Sequence, residues 1–423
     1  MNDIYQKKIF IIFIIFLAAH YAYFFFYRHF NYKKLDFSVF YGVSYAIRHG
    51  IHPFDNDGIM RTVNASLESE VSENLSNFIQ PGSDHHYLPF IFWLYIPLTF
   101  IPFKIAKSLH LIFQHLIFFS GLYFFITLLL RENGKKLSLL FTGFLFLLIA
   151  HFTPLIYEFA LGNINIFIFS GIIFSIFLYI RKLPVCSGIL LALLTVIKIF
   201  PAILFLEYLR TKNFQAAVSF LTGVAVLLLC SIFIYEPGIL KHWFLNSIMN
   251  SFVSGISLST NQSIEGALVR IFTENSTTVP IIAMPPFLIK AVVNFLRLAA
   301  AGYIVYLMKT LNARNSEHSI FFIVICLALA IPLLPIAWIN YGIIYLMPLI
   351  YILYVLANND YPVIYYIFAG CGLTLLIVDV DYRDAKHAHG IRQLVMNLMT
   401  YGYIIFCVLL IKIWKRQSQI GQI

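Results

Sequence analysis

The sequence predicts an all-α, polytopic membrane protein of about 12 transmembrane helices with a helical first outer loop. Three observations predict the class. Of 423 residues, 60% are hydrophobic and 11% charged, with a mean hydropathy of +0.83, whereas soluble domains carry about 25% charged residues. The apolar residues gather in long runs that no single globular core can bury, so lipid must be their solvent. Lys and Arg fall mostly in the short connections between those runs, the pattern that sets orientation in a membrane. The net charge of +10 therefore calls for no nucleic acid, since no basic run interleaves with exposed aromatics.

Taken in order, the first run is Ile9 to Tyr27, preceded by Lys7 and Lys8. Its bulky aromatic end lacks a small-residue cleavage site, which favours a retained helix over a removed signal peptide. A long polar stretch follows. Further apolar runs lie at Leu88 to Phe103, Ile105 to Leu130, Leu137 to His151, Ile164 to Ile180, Val185 to Ile197, Phe200 to Leu209 and Ala216 to Tyr235. The last five are Ile281 to Met308, Ile320 to Ile336, Tyr341 to Leu356, Val363 to Val378 and Leu394 to Trp414. Pro89, Pro97 and Pro102 break the short run Leu88 to Phe103, so it is expected to lie in the outer interface without crossing. With that assignment Arg131, Lys135 and Lys136 fall inside, as do Arg181 with Lys182, Arg210 with Lys212, Lys309 with Arg314, and Lys415 with Arg416. Both termini are then cytoplasmic. The whole chain, 1–423, reads as one integral membrane domain, with 28–104 as a first outer loop carrying interfacial helices and 236–280 as a second.

Loops of this length are usually functional. In the first, DFSVFYGVSYAIRHGIHPFD places Phe37, Phe40, Tyr41, Ser44, Tyr45 and Ile47 on one stripe of a membrane-surface helix, with Gly50 as its C-cap. Asp36 is its natural N-cap; the functional reading is a carboxylate at the bilayer boundary. Lys198 stands in the otherwise apolar LALLTVIKIFP. It reads either as a cation snorkelling to lipid phosphate or as a specific phosphate ligand, because intramembrane lysines are costly. In SLSTNQSIEGALVRI, Asn261, Gln262, Ser263 and Arg270 offer amides and a hydroxyl suited to sugar hydroxyls and a guanidinium suited to phosphate. An ordinary polar loop has a similar composition.

Other candidates read more blandly. His85 and His86 on a solvated loop point different ways more often than they share a metal, and the acidic pairs Asp55/Asp57 and Asp379/Asp381 are more often solvated than ligating. Asn-x-Ser/Thr triplets at Asn64, Asn74, Asn261 and Asn275 are frequent by chance. Cys186, Cys230, Cys326, Cys371 and Cys407 lie in or beside apolar runs without metal-ligand spacing. No metal site and no cofactor is expected.

The ordered set of motifs is more specific than any member. Asp36 follows the first span; Tyr87 opens YLPFIFWLYIPLTFIPF; Asn163 enters a span in LGNINIFIFSGIIF; and Lys198 and Pro201 close SGILLALLTVIKIFP. The NQS tract then precedes Arg270, and Trp338 lies in PIAWINYGIIYLMP. This set resembles the integral-membrane GT-C glycosyltransferases and, more narrowly, glycosyltransferase family 87, the polyprenol-phosphate-mannose-dependent mannosyltransferases. The resemblance runs from Asp36 to Pro348. It implies Asp36 as general base, Lys198 and Arg270 as donor-phosphate ligands, and Tyr87, Asn163, Asn261, Gln262 and Trp338 as substrate-lining residues. It departs after Trp338, where Ile339, Asn340 and Tyr341 stand in place of a common His. The implied activity is a hexosyltransferase acting by a single inverting displacement on a polyprenyl-phosphate sugar. The implied acceptor is a cell-envelope glycan or glycolipid at the outer face of the plasma membrane.

A flippase of lipid-linked sugars would also be polytopic and aromatic-rich, but more typically shows paired repeats and ionisable residues at mid-membrane. A non-catalytic envelope-assembly protein would not need Asp36. The topology is testable directly. Cysteines placed at Asp84 and Lys107 should react with an impermeant reagent from outside, and one at Lys135 should not; strong outside labelling at Lys135 would invert the assignment.

Overall fold

The computed structural model describes residues 35–78, 87–133, 139–245, 257–274, 280, 282–378 and 394–420. The first run, the His85–His86 pair, the Asp379/Asp381 pair and Asn275 lie outside the described residues. Among the described residues there are helices and no strands. The first loop carries α1 (Leu35–Arg48), α2 (Asn56–Ser66) and α3 (Ser69–Phe78). Next come α4 (Phe90–Tyr95), continuing into a 3-10 turn at Ile96–Phe100, and the long α5 (Phe103–Asn133). Then follow α6 (Leu139–His151), α7 (Thr153–Leu161), α8 (Asn165–Ile180), α9 (Pro184–Ile197), α10 (Phe205–Arg210), α11 (Phe214–Ile234) and the short α12 (Ile239–His242). The rest are α13 (Ile264–Phe272), α14 (Pro286–Thr310), α15 (Ser316–Leu333), α16 (Leu346–Asn358), α17 (Val363–Ile377) and α18 (Leu398–Ile420).

Six helical stretches are long and apolar enough to cross a bilayer: Phe103–Arg131, Phe214–Ile234, Pro286–Thr310, Ser316–Leu333, Ile339–Asn358 and Leu398–Gln419. The α6–α7 pair, bent by 48°, makes a seventh if taken as one span. That count, among the described residues, does not reach about twelve: α8, α9 and α17 are shorter apolar helices, the expected span Phe200 to Leu209 is a 3-10 turn followed by the six-residue α10, and the first run is not among them. The Pro-punctuated run is a six-residue helix and a five-residue 3-10 turn, about 19 Å long at roughly 1.5 Å per residue in the helix and 2.0 Å in the turn. A hydrocarbon core of about 30 Å is out of its reach.

The described residues form two compact units. The first gathers those of His29–Phe124 and Glu158–Ser254. Here the expectation of a surface helix needs correcting. Every residue of α1 from Asp36 to Ser44 is buried, because the loop folds its own cover of α2, α3 and α4. A Cβ on Gly42 would meet Leu75 and Val71 at 3.3 and 3.4 Å. The polar groups this buries are paired. The Ser38 hydroxyl accepts from Asn74 (3.0 Å), Ser44 donates to the Phe92 carbonyl (2.8 Å), and the Tyr41 hydroxyl donates to that of Ile101 (2.8 Å). Gly50 does cap α1, at φ +82°, a conformation that favours glycine.

Farther along, α8, α9 and α11 pack side by side. Small residues set the spacing, as expected where lipid supplies no hydrophobic drive between helices. A Cβ on Gly188 would lie 2.4 Å from the Ala216 carbonyl oxygen and 2.9 Å from the Phe220 nitrogen. Buried hydroxyls add specificity: Ser187 donates to the Ser175 carbonyl (2.8 Å) and pairs with Tyr208 (2.7 Å).

The second unit gathers the described residues of Phe125–Tyr157 and Gly255–Ile423. Its centre is α15, α16 and α18, with α17 against α18. Gly372 and Gly402 let the last pair touch, since a Cβ on Gly402 would meet the Gly372 carbonyl at 3.1 Å. Backbone contact of this kind cannot yield as a side chain does. Gly188→Ala should therefore destabilise the protein by about 2 kcal/mol, within the usual range for overpacking. Gly302→Ala, with nothing within 4 Å, should be neutral or mildly stabilising. Thermal unfolding of the two variants in detergent checks the contrast; equal melting temperatures would refute the tight α9–α11 seam.

Candidate active site

The site in the first unit is organised by the turn Gly162-Asn163-Ile164-Asn165, which links α7 to α8. Gly162 has φ +66°, and its N–H and that of Asn163 both return to the Glu158 carbonyl (3.0 and 3.3 Å), so α7 ends in a left-handed cap. Two side chains of α5 grip the turn. His110 Nε2 lies 3.1 Å from the Gly162 carbonyl, and Gln114 donates to that of Asn163 at 2.6 Å. The carbonyl can only accept, so His110 carries its proton on Nε2.

From this turn each amide takes one sense. The Oδ1 of Asn163 accepts the N–H groups of Ile164 (2.6 Å) and Asn165 (3.2 Å). Its Nδ2 therefore points the other way, donating to the Asp36 carboxylate and to the Tyr87 hydroxyl, the latter at 3.2 Å. Asn165 is arranged in reverse. Its Nδ2 donates to Glu158 Oε2 (2.9 Å) and its Oδ1 accepts from Lys198 Nζ (2.6 Å). Lys198 also lies over the Tyr87 ring, 5.7 Å from its centroid.

Local structure explains why these side chains reach the turn. Asp36 sits in the first turn of α1, and its described contact is sideways to Asn163 instead of to the helix N–H groups that a capping residue would hold. Phe37 stacks on His110 (4.6 Å) and Phe40 on Tyr95 (4.8 Å), which fixes the rotation of α1 about the carboxylate. Lys198 leaves α9 in an extended conformation, φ −145° and ψ 132°, followed by Pro201 in the next 3-10 turn. The break swings the ammonium out of the helix wall. Asp36 is 9% exposed and Lys198 8%.

Burial pushes the Asp36 carboxyl up to about 6 from the ordinary 3.8, against the opposing pull of the Asn163 hydrogen bond and the Lys198 charge. A carboxylate with this proton affinity suits a general base near neutral pH.

The remaining sequence candidates lie in the second unit and make a clasp of their own. Asn261 Oδ1 accepts from the N–H groups of Ser263 (3.1 Å) and Ala337 (2.9 Å), and Asn261 bridges Trp338. Gln262 donates to the carbonyls of Ser259 (2.7 Å) and Met396 (2.8 Å). Ser263 caps α13. The Arg270 guanidinium, fully buried, holds Asn397 (3.0 Å) and the Leu258 carbonyl (2.6 Å). Trp338 is part-exposed. Back in the first unit, Asp55 caps α2 through the Gly58 N–H (2.9 Å).

Sequence reasoning missed Glu158, Asn165, His110 and Gln114. Glu158 had a readable signal: an acid within an apolar segment, just before the Gly-Asn-x-Asn motif. His110 and Gln114 are legible only once α5 is packed against the turn.

Ionising Asp36 in this setting costs the fold on the order of 3 kcal/mol, from about 1.4 kcal/mol per pKa unit applied to a carboxyl raised from 3.8 to about 6. The sign follows from linkage: the carboxyl's folded-state contribution is intact below pH 3.8 and is lost as pH rises through about 6. Asp36→Asn should therefore raise the melting temperature at pH 8, and the gain should vanish toward pH 4. A capping role requires the reverse, a variant no more stable than the parent at any pH.

A sequence model of glycosyltransferase family 87 matches residues 85–332. No curated protein matches the chain. The matched stretch holds Tyr87, Glu158, Asn163, Asn165, Lys198, Asn261, Gln262 and Arg270, with Asp36 and Trp338 outside it. With more than half of its 423 residues matched and several helices able to cross a bilayer, the chain belongs to glycosyltransferase family 87 and is a membrane glycosyltransferase.

Proposed function

We propose that this glycosyltransferase moves a hexose, mannose by its family resemblance, from a polyprenyl-phosphate donor to a cell-envelope glycan or glycolipid. The reaction takes place at the outer face of the plasma membrane. The observation that carries the reading is the pairing of one buried carboxylate, Asp36, with one buried ammonium, Lys198, on opposite-facing amides of a single turn.

Transfer from a lipid phosphate needs a base for the acceptor hydroxyl and a cation for the leaving phosphate. Asp36 takes the proton as the hydroxyl attacks C1. The C1–O bond to phosphate breaks with its electron pair on the phosphate oxygen, and Lys198 stabilises that charge. One in-line displacement inverts the anomeric centre. Tyr87, held between Asn163 and Lys198, lines the same place. Asn261, Gln262 and Arg270 hold backbone and Asn397, which weighs Lys198 above Arg270 for the phosphate.

A transfer assay with polyprenyl-phosphate mannose and membranes bearing the native acceptor tests it. Asp36→Asn keeps size and should lower turnover about a hundredfold or more, the scale of general-base catalysis. Asp36→Glu should retain partial activity, and Lys198→Ala should lose about a hundredfold through donor use. In the parent, kcat/KM should fall as pH drops below about 6. Full transfer by a well-expressed Asp36→Asn variant, or retention of anomeric configuration, would overturn the mechanism.

A further inference from the structure

Glu158 has no part in the transfer chemistry, yet it is completely buried in the last turn of α7, beside the site. A buried carboxylate is expensive unless paired and hydrogen-bonded. Both of its oxygens accept: Oε2 from Asn165 Nδ2 at 2.9 Å, and Oε1 from the Ile166 N–H at 3.1 Å. A side-chain amide has a donor end and an acceptor end. By claiming the donor end of Asn165, Glu158 compels the acceptor end to face Lys198, where it takes the ammonium at 2.6 Å. The reversed amide would set NH2 against ammonium and oxygen against carboxylate, which are two repulsions in place of two bonds.

We propose that Glu158 is a positioning residue for the donor phosphate, acting through Asn165 to hold the Lys198 ammonium at the place where lipid phosphate binds. This rests on the donor reading above. The relay explains two features together. It balances part of the charge of a cation taken out of water, and it fixes that cation's location in a side chain with many rotamers. Asn163 does the reverse service for Asp36, its own sense being fixed by backbone N–H groups. One turn thus aims a donor at the base and an acceptor at the cation.

The test is a double-mutant cycle read by binding and by kinetics. Undecaprenyl phosphate is titrated into the purified parent, Glu158→Gln, Lys198→Gln and the double variant, and donor KM and kcat are measured for each. Glu158→Gln should weaken lipid-phosphate binding about tenfold and raise donor KM by a similar factor. The double variant should bind no worse than Lys198→Gln alone, because coupled groups are not additive. Parent-like binding by Glu158→Gln overturns the proposal, as do losses that multiply in the double variant, the result a general packing role gives. If Glu158→Gln does not fold, Asn165→Ala decides, since it keeps both charges and removes the link. It should show the same loss and the same non-additivity with Lys198→Gln, and parent-like binding by it overturns the relay. A parent that neither binds lipid phosphate nor transfers from it overturns the donor reading and the relay together. A parent that does both, with additive losses, overturns the relay alone.

Discussion

The constraint on which the site depends is the cost of holding charge away from water. Asp36, Glu158 and Lys198 are each at most 9% exposed, and an ion so placed needs partners of correct sense. The Gly162–Asn165 turn supplies them with two amides and a few backbone N–H groups. Everything nearby serves to keep that turn still. Gly162 takes the left-handed conformation that ends α7, His110 and Gln114 fasten its carbonyls to α5, and α8 begins at once behind it. A mobile loop could not offer such groups without also offering water, which would weaken every electrostatic contact.

The rest of the first unit brings the two oppositely charged side chains to this fixed point by different means. Asp36 arrives on a helix whose rotation is set by stacked rings and whose polar face is covered by α2 and α3. Lys198 arrives by a helix break. A lysine kept inside α9 would point into a neighbouring helix or into lipid, whereas an extended residue followed by Ile199, Phe200 and Pro201 carries the side chain clear of the helix wall. The tight α9–α11 seam, with Gly188 against backbone, fixes the helix from which the lysine departs. Packing far from the chemistry thereby determines where the cation stands.

How much of this was legible in the sequence depends on range. Periodicity and charge placement found nearly every long helix to within a few residues, because a membrane span is a local property of one run. Proline spacing found the interruption at Leu88 to Phe103 for the same reason. The Asp36 and Lys198 candidates were visible as ionisable residues in apolar company. The burial of α1 was not visible, since an amphipathic stripe looks the same whether the polar face meets water or a second layer of helices. Glu158 was overlooked because α7 follows α6 after a 48° bend and reads as a loop between two apolar runs. The roles of Asn261 and Gln262 were hidden by chemistry: an amide that can bind a sugar hydroxyl can equally bind a carbonyl, and only the fold shows which it meets.

The raised proton affinity of Asp36 and the fixed position of Lys198 answer opposing demands. A base must hold its proton weakly enough to start ionised and strongly enough to take one from a hydroxyl. Deeper burial alone would leave Asp36 protonated at neutral pH, and a direct ion pair with Lys198 would pull it down toward an inert carboxylate. Burial raises it, and a hydrogen bond from a neutral amide, with the cation held two residues further along the turn, pulls it back to about 6. In the proposed reaction the ammonium meets the lipid phosphate while the carboxylate serves the acceptor hydroxyl, each held by its own amide of the turn.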